Sequence, residues 1–194
     1  MVTEDIGSAK SDEGDDRRRH IRQRVLKSAL LYPVLKEARL AIHDVSQNGL
    51  SGECALTLGL GQEVHVSLDG EKFITAEVRW LDGMRCGLQT EDPLPRNLDE
   101  AQDWIDDAGS DKREAPRVKV DLLATLVTCA PVFAGTVRNM SAEGMMIEAA
   151  GLPEGRRLLV KARGCDVRMG RVQWSSGGMA GVFFEPVELG TGGK

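Results

Sequence analysis

Two sets of residues in the 194-residue chain have types and spacings that can do chemistry. Arg18-x-x-x-Arg22 puts two guanidinium groups four residues apart, and Asp44-Val-Ser46-Gln-Asn-Gly49 begins 22 residues after the second arginine. Both recur 95 residues further on, as Arg113-x-x-x-Arg117 and Asn139-Met-Ser141-Ala-Glu-Gly144, again with a gap of 22. A guanidinium is a planar fork suited to phosphate oxygens, to the O6/N7 edge of guanine and to stacking on a purine face. A carboxylate or amide beside a hydroxyl can take the N1/N2 donor edge of guanine. The ligand chemistry that satisfies both sets is a guanine with a phosphate close by.

Catalytic readings of the same residues are weak. Side chains alternate faces along a strand, which sets Asp44 and Ser46 on one side, about 7 Å apart, and His43 on the other. A nucleophile needs its base within hydrogen-bond reach, and the second copy has Arg138, Asn139 and Ser141 instead. No acid/base pair recurs between the copies, and His20, His43 and His65 show no metal-ligand spacing with one another or with a cysteine. Cys54, Cys86, Cys129 and Cys165 stand far apart without a CxxC, as isolated thiols of a reducing cytoplasm do. A binding protein is expected, with no enzyme activity, no metal and no cofactor.

The elements that must position these residues repeat with them. Val78-Arg79-Trp80 matches Val172-Gln173-Trp174 and Gly87 matches Gly181, both at an offset of 94, and each copy closes near a proline, Pro93 and Pro186. Four features in the same order indicate a tandem duplication. Short Val-, Leu-, Ile- and Thr-rich runs bounded by turn residues predict strands at Arg39–Asp44, Glu63–Leu68, Phe73–Trp80, Gly135–Asn139, Leu158–Ala162 and Val167–Trp174. Asp69-Gly70 and Asp82-Gly83 carry the hairpin signature. Gly49 and Gly144 are expected to supply a positive-φ turn or the close approach of a planar ligand. Trp80 and Trp174 are assigned to the cores, with ligand stacking as the alternative, and the cluster Met140, Met145, Met146 to core or module interface.

The predicted organisation is a disordered acidic tail over 1–16, a first module over 17–92, a helical linker over 93–112, a second module over 113–188 and a disordered tail over 189–194. Within the linker, Asn97 and Glu100 form a capping-box variant, and Leu98, Ala101, Ile105 and Ala108 share a helical face before Gly109, so the helix spans 97–108. Evenly spaced short strands favour small antiparallel barrels, and contact between two such small modules would stabilise both.

Composition narrows the partners. The formal charge is −5 and only eight residues are aromatic, too acidic for a general nucleic-acid binder and too poor in rings for a base-stacking platform. The charge is unevenly spread. Residues 1–16 hold six acids against one base and 93–112 six against two, whereas 17–92 and 113–194 have net charges of +1 and +3. Mildly basic modules suit a small anionic ligand. No apolar run approaches a membrane span, so no membrane insertion and a cytoplasmic location are expected.

The paired RxxxR and (D/N)xSxxG motifs, each followed by short strands, resemble the PilZ domain, a bacterial receptor module for cyclic di-GMP. The resemblance covers both repeats, roughly 150 residues. It implies an all-β fold with minor α: two six-stranded antiparallel PilZ-type β-barrels joined by a helical linker. It also implies a ligand, cyclic di-GMP, held by Arg18, Arg22, Asp44, Ser46 and Gly49 in one site and by Arg113, Arg117, Asn139, Ser141 and Gly144 in the other. Arg17 and Lys112, just before each arginine motif, match a family feature linked to a stacked dinucleotide dimer, although lysine lacks the planar fork. Ile21 stands where the second repeat has Pro116, which leaves the first arginine segment freer. Capture of the ligand would change module packing or the binding of a downstream protein partner. The alternative is a PilZ fold kept for assembly, with one or both sites idle.

Overall fold

The computed structural model describes residues 23–94 and 117–187. The expected helix over 97–108 and both expected tails lie outside them. All regular structure among the described residues is extended: β1 (Gln23–Ser46), β2 (Gly49–Cys54), β3 (Glu63–Ser67), β4 (Lys72–Asp82), β5 (Arg85–Thr90), β6 (Val118–Cys129), β7 (Phe133–Met140), β8 (Gly144–Glu148), β9 (Arg157–Ala162), β10 (Val167–Ser176) and β11 (Met179–Phe184). None of these residues forms a helix long and apolar enough to cross a membrane. Each strand window read from the sequence falls on one of these elements. The Asp-Gly turns are present too, with Gly70 and Gly83 at φ of 79° and 61°, backbone that side-chain-bearing residues rarely adopt.

All pairings are antiparallel, and they close into two circuits of six strands. One runs β6-β1-β2-β5-β4-β3 and returns to β6; the other runs β1-β7-β8-β11-β10-β9 and returns to β1. β1 belongs to both because it is 24 residues long, about 80 Å of extended chain. Its first half pairs with β7 and β9 and its second half with β2 and β6. The circuits therefore do not coincide with the sequence repeats. Each repeat's opening strand is seated in the circuit otherwise built by the other repeat: residues 23–33 lie among second-repeat strands, and β6 lies among first-repeat strands.

Turn chemistry explains why the chain runs on. Between Leu31 and Ala38 stand Tyr32-Pro33-Val34-Leu35-Lys36-Glu37, with no Gly, Asn or Asp to form a tight hairpin. The strand continues instead, with one bulge at Leu35, which is 60% exposed where the chain passes from one circuit to the other. The second crossing, Ala130-Pro131-Val132, has no such pair either, and Ala130 N–H donates to Pro33 O at 2.8 Å.

The cores confirm the exchange. In the first circuit Leu40, Ile42, Val64, Val66 and Val78 pack with Ala124 and Leu126 of β6. In the second, Val137, Ile147, Leu158 and Val172 pack with Ala29 and Leu31 of β1. Leu94, after Pro93, is buried in the first core, while Val187, after Pro186, enters a third cluster between the circuits. That cluster also holds Tyr32, Phe73, Val127, Leu159 and Met169, beneath a short β4–β10 pairing of Phe73 with Val167.

Two groups at this junction, one buried and one half-buried, are held neutral. His65 is 1% exposed, stacks edge-on to Tyr32 with centroids 4.7 Å apart and has Nδ1 3.3 Å from Thr75 Oγ1. Burial, with Lys161 adding to it, lowers its pKa to about 4. Burial likewise pushes the Cys129 thiol up to about 12, with Glu63 contributing. All four cysteines are free.

Candidate functional site

The two motifs sit where strands leave their ladders. In β1 the pairing shifts between Ile42 and Asp44, and in β7 it shifts at the same place, between Val137 and Asn139. Matching shifts occur in β4 between Val78 and Trp80 and in β10 between Val172 and Trp174. A bulge re-aims the side chains beside it, so in each circuit a bulge precedes the Asp or Asn and another precedes the tryptophan. Val45 turns into the core while His43 and Asp44 both stay outside it. Strict alternation across residues 43–44 is thereby corrected: the extra residue puts both on the outer side.

Around the first motif the chain forms an open cleft of about 180 Å³, lined by Asp44, Ser46, Gly49, Arg79, Trp80 and Arg117 among others. Asp44 Oδ2 accepts from Ser51 Oγ at 2.9 Å, and Ser46 Oγ donates to Gly49 O at 3.3 Å. His43 Nε2 faces Glu53 Oε1 at 3.8 Å. His43, Asp44 and Ser46 are thus each turned to a different partner. At the second motif Ser141 repeats the bond to Gly144 O, at 3.4 Å. Asn139 differs, because Met146 occupies the position of Ser51 and offers only a thioether 3.8 Å from Asn139 Nδ2, a weak acceptor.

The motif glycines serve the backbone. Neither Gly49 nor Gly144 has positive φ. A Cβ on Gly49 would stand 2.6 Å from Leu88 O, and one on Gly144 would collide with Val182 O. Glycine here lets β5 and β11 lie close against the turn that opens β2 and β8, which replaces the positive-φ expectation.

The tryptophans also depart from the core assignment. Trp80 and Trp174 are 36% and 42% exposed, and each indole lies across a glycine, Gly87 and Gly181, where any Cβ would collide with the ring. One face is covered by the glycine backbone, and Trp80 lines the cleft. A tryptophan matched by a glycine one strand away, at the same offset in both repeats, is a sequence signal for this arrangement. Of the methionines, Met145 is buried in the second core and Met140 packs against it, while Met146 faces Asn139.

The placement of Arg117 differs from the expected grouping. The resemblance puts Arg117 with Asn139, Ser141 and Gly144 of its own repeat. Because β6 is seated in the first circuit, with Val118 opposite Val45 and Lys119 opposite Asp44, Arg117 lines the Asp44 cleft instead. Arg18, Arg22 and Arg113 lie outside the described residues.

The PilZ domain model matches residues 16–107 and again residues 111–192. The chain belongs to the PilZ family. It carries two tandem PilZ domains, of a family of cyclic di-GMP-binding receptors. No curated protein and no solved structure matches the chain. Both PilZ matches span an arginine motif and a (D/N)xSxxG motif, and Arg117 of the second match lines the cleft at the DxSxxG turn of the first.

Proposed function

We propose that the protein is a non-catalytic cyclic di-GMP receptor that binds the dinucleotide at its RxxxR and (D/N)xSxxG motifs. The observation that carries this reading is the cleft uniting Arg117 with Asp44, Ser46 and Gly49. There a guanidinium, free to move on an exposed side chain, can take a phosphate or the O6/N7 edge of guanine. Asp44, oriented by Ser51, can accept from N1–H and N2–H. The exposed face of Trp80 offers a surface on which a base can stack. In this reading each closed circuit is the six-stranded barrel of a PilZ domain. Arg18, Arg22 and Arg113 complete the guanidinium sets, and Asn139, Ser141 and Gly144 form the second recognition turn.

Output through a protein partner fits this fold better than separation of the two halves. Moving the circuits apart would require pulling β1 and β6 out of hydrogen-bonded ladders and out of both cores. Four free thiols suit a reducing cytoplasm.

Calorimetric titration with cyclic di-GMP tests the reading. Saturable binding is expected, with Arg117→Ala weakening the Asp44 site by about 5- to 150-fold, the worth of a good bidentate contact. Absence of binding by the intact protein refutes it and leaves a PilZ fold used for assembly.

A further inference from the structure

We infer that the Asp44 ligand site is shared between the repeats, built from Arg117 of the second and the DxSxxG turn of the first, so that the first repeat does not form this site by itself. This rests on the receptor reading above and goes beyond it, since a site assembled within each repeat would bind the same ligand.

The register carries the inference. At the first site Val118 stands opposite Val45, and Lys119 opposite Asp44. At the second, Gln23 stands opposite Met140, and Arg24 opposite Asn139. Shifting each residue by the 95-residue repeat converts the first pair of contacts into the second with the roles of the repeats reversed. Arg117 precedes Val118 and lines the Asp44 cleft. The connection is not a loose docking that could be rewired. It is fixed by the Ala124 and Leu126 side chains in the first core and by Ala29 and Leu31 in the second. A ligand bound at the Asp44 site therefore bridges residues from both repeats.

Pairwise substitution in the full-length protein separates the two wirings. A shared Asp44 site predicts that Arg117→Ala with Asp44→Ala damages one site twice, leaving about half of the wild-type load of cyclic di-GMP bound at a concentration that saturates wild type. Arg117→Ala with Asn139→Ala damages both sites, each by about 5- to 150-fold, and removes most of the load. Sites built within each repeat predict the reverse order, and that order, or equal loads in the two double variants, overturns the inference while leaving the receptor reading intact. Failure of wild type to bind overturns the receptor reading and, with it, the shared site. Each variant is first checked for an unchanged thermal transition; if Asp44→Ala or Asn139→Ala unfolds the chain, Ser46→Ala and Ser141→Ala replace them in the same design.

Discussion

Leu31→Ala probes the strand exchange without any ligand. Leu31 belongs to the first repeat by sequence, yet its side chain is fully buried in the second circuit's core. Its Cδ1 lies 2.9 Å from where a Cβ on Gly135 would stand, and Ile147 Cγ2 converges on the same point at 3.1 Å. The strands around it are locked in a closed ladder, so the cavity left by truncation cannot collapse. The cost then falls in the middle of the Leu→Ala range, about 3–4 kcal/mol. For a chain of this length each kcal/mol lowers Tm by about 2–4 °C, giving a drop of roughly 10 °C. The decisive measurement is a double-mutant cycle by urea unfolding, pairing Leu31→Ala once with Ile147→Val and once with Ile42→Val. Neighbours couple by at least about 0.5 kcal/mol, whereas distant sites add within roughly 0.3–0.5 kcal/mol. Coupling should therefore appear with Ile147 and not with Ile42, which lies in the first core. Coupling to Ile42 with additivity to Ile147 would refute the exchanged strand and the cross-wired site built upon it.

Three further outcomes follow from particular contacts. His65 stays neutral in the folded chain down to about pH 4 but takes a proton near 6.5 when unfolded. Its stabilising contribution is complete above 6.5 and is lost as the pH falls toward 4, with about 2 kcal/mol gone near pH 5. Urea unfolding across that range should show this loss and His65→Gln should flatten it; equal slopes in the two proteins would count against the buried neutral imidazole. Ser51→Ala removes the hydroxyl that orients Asp44 and should weaken that site about 3- to 10-fold, the worth of one hydrogen bond, leaving the Asn139 site, where Met146 stands instead, unchanged in a two-site titration. Gly49→Ala drives a Cβ to 2.6 Å from Leu88 O and should cost about 1–3 kcal/mol, while Gly59→Ala, with only Gln62 Oε1 at 3.8 Å, should leave the melting temperature nearly unaltered.

Local features of this chain were legible without coordinates because they are written locally. The Asp-Gly turns, the strand windows and the two motifs follow from residue types within a few positions of one another. The roles of Gly49 and Trp80 were not legible, because each depends on a residue one strand away: Leu88 O for the glycine and Gly87 for the indole. The bulge before Asp44 was hidden for the same reason, since an extra residue is defined only against a partner strand.

By itself the sequence determined that there are two copies of one unit, that the unit is built of strands, and that each copy carries guanidinium groups and an acceptor–hydroxyl turn suited to a guanine nucleotide. Only the tertiary structure decided that Arg117 meets the Asp44 turn. The inward residues of the exchanged strands are the same, Ala29 and Leu31 in β1 and Ala124 and Leu126 in β6, so either strand can fill either core and hydrophobic patterning cannot choose between the seats. The choice falls to the connections. With no hairpin-forming residues at 32–37 the chain runs straight across into the first circuit, and β6, paired beside it, brings Arg117 to the Asp44 turn of the other repeat.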